Sequence, residues 1–419
     1  VTVSRAILIL VVVAIASAGF LAFDSRAPAE VREAEPEGSS DPNQGASFSD
    51  ADVARHGAYR APAYLSVAMS ILLQVVALVL LARVLVPATL ARFADVPGGW
   101  VTKVAIVTAL VVVTTALVTL PLGFVRGFQM DHAWGLSTQT ATGWVSDQAR
   151  SLGVGLVVSM VPALAFFGLL RVFPRTWWLW GWATFSLLTL LFAFLWPIVI
   201  APLFNRFTPL EQGPLRDHIV ELADEAGIAL DDVLVADASK RTTAENAYVA
   251  GIGASKRMVL YDTLLEAGDD DESAYVAAHE LGHEARDHIL KSVGLASLSM
   301  LAGFGLLWWL AQRDEPWAWA GASGIADPRA LPVLVLFTLL AGLVFLPVQN
   351  GVSRAFEREA DRVAIELTED PVTAIKVYRR LAFSNLADLR PPGIAVWALF
   401  SHPPIPERIE NVLDAARSD

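Results

Sequence analysis

Long apolar runs alternate with polar segments along this chain, and the alternation predicts its architecture. Seven runs are almost free of charge: residues 6 to 23, 64 to 88, 101 to 124, 152 to 173, 177 to 203, 292 to 312 and 330 to 349. As helices rising 1.5 Å per residue, such runs cross a hydrocarbon core of about 30 Å. The first follows Arg5 and contains Ala16-Ser17-Ala18, a pattern shared with cleavable secretory signals; we read it as a first membrane span. Tryptophans gather where spans should meet the headgroups, at Trp177, Trp178, Trp180 and Trp182 and again at Trp308, Trp309, Trp317 and Trp319, and are expected to act as interfacial anchors.

The intervening segments divide the chain further. Residues 24 to 63 are rich in Pro, Ser, Gly and acids, which predicts a flexible, solvated acidic loop before spans two to five (64 to 203). Residues 204 to 291 are the long water-facing region. They predict a helix over 214 to 226 ended by Gly227, strands at 231 to 237 and 247 to 261, the latter broken by Gly251 and Gly253 into a hairpin, and a helix from 272 to 290. That last helix carries Glu272, Glu280, Glu284, Arg286 and Asp287. At about 3 kcal/mol per central charge, placing it in lipid would cost on the order of 15 kcal/mol, so it belongs in water or against a wet cavity. After the last two spans (292 to 349), residues 350 to 419 predict helices at 352 to 367 and 371 to 388, a turn at Ser401-His402-Pro403-Pro404 and a final helix from 406 to 417.

Composition agrees with a membrane protein: 54% of the 419 residues are hydrophobic and 18% charged, against about a quarter charged in soluble domains. The chain has no cysteine, so any metal must be held by imidazole and carboxylate. A net charge of -12 without a basic stripe excludes nucleic acid as a partner.

The candidate chemistry lies in His279-Glu280-Leu281-Gly282-His283. On a helix, residues four apart share a face, so the two imidazoles can meet one metal ion with Glu280 beside them. With seven histidines in the chain, such a pentapeptide arises by chance on the order of once per hundred chains of this length. Catalytic zinc takes three protein ligands and keeps one position open. Glu357 and Asp361, also four apart, offer the third ligand and a carboxylate to fix a ligand histidine's tautomer. Two spans separate His283 from Glu357, so both fall on one side of the membrane. In this reading zinc acidifies a water, Glu280 takes its proton, and a peptide carbonyl is attacked. Arg286 and Ile289 stand where an extended H-E-x-x-H-x-x-G-x-x-H signature needs Gly and His. His288 lies about 140° round a continuous helix from His283, which makes it a helix-face residue or a second-sphere support.

The sequence resembles the type I CAAX prenyl protease family, integral-membrane zinc metallopeptidases. The resemblance runs from about residue 120 to the C-terminus. It is carried by Pro202 to Leu210, Asn246 to Gly251, Ser255-Lys256-Arg257, His279 to His283, Glu357 with Asp361, and His402-Pro403-Pro404 followed by Glu407-Arg408-Ile409. It implies a mainly α fold of seven transmembrane helices around a chamber, with a membrane-associated peptidase domain containing a small β-sheet. It also implies one zinc ion on His279, His283 and Glu357, with Glu280 catalytic. Asn246, Ala247, Tyr248, Val249, Ala250 and Gly251 would form an edge strand that pairs with substrate backbone. His402 and Arg408 would reach back toward the metal, His402 to stabilise a developing oxyanion.

The expected partners are therefore the lipid bilayer and a peptide or membrane-protein substrate, membrane-associated or of CAAX type. Two alternatives remain at this point: a heat-shock-type quality-control metalloprotease, and a non-proteolytic transporter or scaffold with a structural metal. The expected location is a bacterial plasma membrane. Arg83, Arg92, Lys103, Arg171 and Arg175 fall on the face opposite the site, which by the positive-inside rule puts the site outside. The resemblance implies the cytosolic side, and we follow it.

Overall fold

The computed structural model describes residues 1 to 32, 42 to 251 and 256 to 418. Among these, seven helices are long and apolar enough to span a membrane. They are α1 (Val3–Asp24), α2 (Asp50–Leu80), α3 (Gly99–Phe124), α4 (Ala141–Val172), α5 (Trp177–Leu195), α8 (His288–Ala311) and α9 (Leu331–Thr368). Between and after them come α6 (Pro214–Glu225), α7 (Asp270–Ala285), α10 (Pro371–Ser384) and α11 (Ile405–Ser418).

Several helices run well past the apolar windows. Continued through a π-helical turn, α2 extends over Asp50–Arg92, 43 residues or about 65 Å, roughly twice the thickness of a hydrocarbon core. Part of the segment expected to be loop is thus helix from residue 50 onward. Ser49 caps it with a reciprocal capping box to Asp52, and a stripe of Asp52, His56, Tyr59, Ala63 and Ser66 is buried. The expected flexible loop otherwise includes 33 to 41, outside the described residues. Likewise α4 begins at Ala141 rather than near 152, capped by Thr140. The last span and the helix expected at 352 to 367 are one 38-residue helix, with Pro347 inside it.

The spans pack through one apolar cluster. In α1 the stripe Ala6, Leu10, Ala14, Ala18 and Leu21 is buried against residues such as Leu73 and Leu78 of α2 and Val104 and Val107 of α3. A second cluster fills the water-side lobe, with Ile219 and Leu222 of α6, Leu281 of α7, Tyr378 of α10 and Ile409 of α11. The lobe contains a four-stranded sheet in the order β1 (Phe207–Pro209), β2 (Leu230–Ala236), β4 (Lys256–Tyr261), β3 (Ala247–Ala250). The outer pairings are antiparallel and β2–β4 is parallel. The hairpin expected over 247 to 261 is present as β3 and β4; Gly253 in its turn lies outside the described residues. β3 is an edge strand.

Two contacts place the loops relative to this lobe. Arg379 of α10 is fully buried and donates to the carbonyls of Gly45 and Ser47. Ser137, after the third span, forms a β-bridge with Thr242. The segments after spans one and three therefore lie on the side of the lobe that follows span five, as alternate crossings require.

Candidate active site

The site begins with α7. Asp269 caps its N-terminus, and Asp270, Asp271 and Glu272 in its first turn oppose the helix dipole. Its buried face, Ala274, Tyr275, Ala277, Ala278 and Leu281, docks it in the lobe. That docking leaves His279 and His283 on a shared face, with their Nε2 atoms 3.2 Å apart. α9 crosses beside it at close range because residue 282 is glycine: a Cβ there would sit 3.0 Å from the Ala360 Cα and carbonyl oxygen.

The close crossing brings in Glu357, whose Oε2 is 3.4 Å from His279 Nε2 and whose Oε1 is 3.4 Å from His283 Nε2. One ligand atom from each of the three residues lies within 4.8 Å of the others. Glu357 Oε2 is buried and accepts no well-formed hydrogen bond from the described residues. Two imidazole nitrogens facing one another beside an unsatisfied buried carboxylate oxygen concentrate lone pairs on one point. A cation satisfies all three, so the donor set fits a divalent metal with two imidazoles and one carboxylate.

The surroundings fix the ring orientations. Asp361 Oδ1 is 2.9 Å from His279 Nδ1, and because a carboxylate only accepts, that nitrogen carries the proton and Nε2 the lone pair. Arg408 lines the chamber and approaches His279 from its Nδ1 side: it is buried, its Nε donating to Asp361 Oδ2 at 2.9 Å and a second nitrogen to Oδ1. The guanidinium also lies 4.3 Å from the centre of the Tyr378 ring. His402 reaches the ligand carboxylate, with Nε2 3.3 Å from Glu357 Oε1 and Nδ1 2.9 Å from Ser401 Oγ. Burial pushes the Glu280 carboxyl above the ordinary carboxylate range, which makes it a better proton acceptor.

Glu280 stands between two cavities. The larger, about 780 Å³, is a chamber lined by groups from the spans and the lobe, among them Arg60, Tyr64, Asp131, His279 and His402. The smaller, about 330 Å³, runs between β3 and the start of α8. Asn246 and Ala247 line the chamber whereas Tyr248 and Val249 line the smaller cavity, so β3 passes from one to the other beside Glu280. Ala250 is paired with Arg257, and Gly251 ends the strand with φ 113°. Ser255 lies outside the described residues.

The helix expected over 272 to 290 is a correction. It ends at Ala285, and α8 begins at His288 after Asp287 takes a left-handed backbone (φ 52°). The angle expected from a continuous helix therefore does not hold, and His288 folds back onto His283. Glu359, which sequence reasoning passed over, meets His288 from α9. Its position two residues from Glu357 puts it on a different helix face, so spacing gave no reason to choose it.

A membrane protein built around a two-histidine, one-glutamate site is the class these features define. Residues 209–416 match the model of peptidase family M48, and residues 45–206 match that of the CAAX prenyl protease N-terminal region with five membrane helices. An uncharacterised metalloprotease of Bacillus subtilis is 38% identical over 322 residues, 76% of this chain and 75% of that protein. CAAX prenyl protease 1 of Saccharomyces cerevisiae is 30% identical over 70% of this chain and 68% of its own. The crystal structure of Ste24p from S. mikatae superposes with a TM-score of 0.78 at 25% identity, covering 97% of this chain and 98% of that one. The chain belongs to the M48 metallopeptidase family, in its seven-helix membrane-embedded form related to CAAX prenyl protease 1.

Proposed function

We propose that this protein is a membrane-embedded zinc endopeptidase acting on membrane-associated or CAAX-type peptides, with His279, His283 and Glu357 as the metal ligands. The observation that carries this reading is the convergence of those three donors beside Glu280 at the junction of two cavities. When bound, zinc supplies Lewis acidity, which polarises a carbonyl and acidifies a water. Substrate backbone pairs with the free edge of β3, Asn246 to Gly251, so that the chain runs from chamber to smaller cavity past Glu280. Glu280 takes a proton from the attacking water as the new C–O bond forms. It then returns that proton to the amine nitrogen as the C–N bond breaks. His402, donating from Nε2, stabilises the oxyanion. Asp361 and Arg408 hold His279 in place.

Three protein ligands leave one position for chemistry, which favours hydrolysis over a structural metal closed by four residues. The five-helix N-terminal region favours the prenyl-protease form over a quality-control protease with fewer spans. Purified protein should contain about one zinc per chain. Glu280→Gln should keep that zinc and lose hydrolysis of reporter peptides by at least about a hundredfold; undiminished cleavage overturns the reading. Fragments trapped by the same variant in native membranes identify the substrate. We place the catalytic side in the cytosol.

A further inference from the structure

A ligand histidine holds a metal well only if its other nitrogen is held as well. For His279 that support is Asp361. For His283 it is another histidine, His288, which plays no part in the hydrolytic steps. His288 Nδ1 lies 3.0 Å from His283 Nδ1, and its Nε2 lies 3.1 Å from Glu359 Oε2. The ring is 3% exposed and stacks on Phe356, with centroids 4.2 Å apart and planes 14° from parallel.

The turn between α7 and α8 makes this contact. Asp287 has a left-handed backbone, a conformation that costs a non-glycine residue about 1–2 kcal/mol. It breaks the helix so that the first residue of α8 folds back over the last turn of α7. A continuous helix would carry His288 away from His283.

Only one placement of protons satisfies the three groups. His283 can offer a lone pair at Nε2 only if its proton is on Nδ1. The facing Nδ1 of His288 must then accept, which puts the proton of His288 on Nε2. Glu359, an acceptor only, takes that hydrogen bond. We infer that His288, anchored by Glu359, is a positioning residue that fixes the tautomer and ring angle of His283 for metal binding. The inference rests on reading His283 as a metal ligand. It makes the two ligand histidines unequal: His279 is backed directly by a buried carboxylate, and His283 by a neutral imidazole with the carboxylate one step further out.

The test is zinc affinity of the full chain in detergent, measured with zinc alone against a chromophoric chelator. His288→Phe keeps the ring and its stacking but removes the acceptor. His288→Asn loses the ring but places an oxygen near the former Nδ1. The Phe variant should bind zinc about 10- to 100-fold more weakly than wild type, and the Asn variant should recover most of that loss. A purely packing role predicts the opposite order. Wild-type affinity in the Phe variant, or weaker binding by Asn than by Phe, overturns the proposal. Glu359→Ala, at a partly exposed position, keeps the histidine and removes its anchor together with a 3.6 Å ion pair to Arg286. It should weaken zinc binding measurably, and should His288 variants not fold, unchanged affinity here overturns the proposal. A wild-type protein that binds no zinc defeats the metallopeptidase reading instead.

Discussion

The pair Arg408 and Asp361 shows how much of the site is second-sphere structure. Both are buried, with two guanidinium–carboxylate hydrogen bonds joining them. Arg408→Met leaves a buried carboxylate without its cation and should lower stability by about 3–5 kcal/mol, read as a drop in the thermal midpoint in detergent. Arg408→Lys should not restore it, because an ammonium cannot reproduce the two-pronged geometry. The double variant Arg408→Met with Asp361→Asn should recover part of the loss, since the unpaired charge is gone. Asp361 was legible in the sequence because it shares a helix face with Glu357, and Glu357 because spacing and span number both pointed to it. The place of Arg408 was suggested only by the family resemblance and not by spacing, since the residues around its buried guanidinium come from three helices far apart in the chain. His288 was half legible: its identity was visible, but its contact depends on a helix break at Asp287 that no proline or glycine announces.

Apolar windows located all seven candidate spans among the described residues and clearly missed three of their ends, the starts of α2 and α4 and the end of α9. A window sees the lipid-facing length, whereas α2, α4 and α9 continue as mixed-polarity helices whose inner faces meet the lobe and the chamber. Capping chemistry was the better guide, as Ser49 with Asp52 already spells a helix start inside the supposed loop. The crossing of α7 and α9 depends on one residue, Gly282. Alanine gains about 1 kcal/mol of helix propensity over glycine. Overpacking a tight contact costs about 1–3 kcal/mol, and here the contact is backbone, which yields less than a side chain end. Gly282→Ala should therefore change global stability little, because the terms oppose, yet separate His279 and His283 from Glu357. The expected result is a near-normal unfolding midpoint in chelator with clearly reduced zinc affinity. Unchanged affinity would mean that the helices shift together.

At the scale of the whole molecule, the metal would join two helices separated by a passage across the membrane and back, so its removal should be felt globally. With free zinc at a hundred times the dissociation constant, binding contributes about 2.7 kcal/mol, and chelation should lower the thermal midpoint of wild type but not of Glu357→Ala. Which face this assembly presents to the cytosol is the larger question. Counting cations on the face opposite the lobe puts the lobe outside, but two of the five counted, Arg83 and Arg171, have structural work, as do Arg313 and Arg329 on the same face. Arg83 donates to the carbonyl of Trp319, Arg171 to those of Phe167 and Ala326, and Arg329 to that of Gly321, each tying a helix end or loop on that face. Arg171 also stacks over Trp100 and Arg313 over Trp309. These contacts explain the residues without reference to orientation, and the charge rule loses weight accordingly. A chain without cysteine allows a direct decision. Glu211→Cys reports on the lobe side, and Asp95→Cys and Asp314→Cys on the far side, all at exposed positions. With the site in the cytosol, a membrane-impermeant maleimide should label Asp95→Cys and Asp314→Cys on intact cells and spare Glu211→Cys until the cells are opened. The reverse pattern would put the active site outside, and different labelling of the two far-side positions would refute the seven-span arrangement itself.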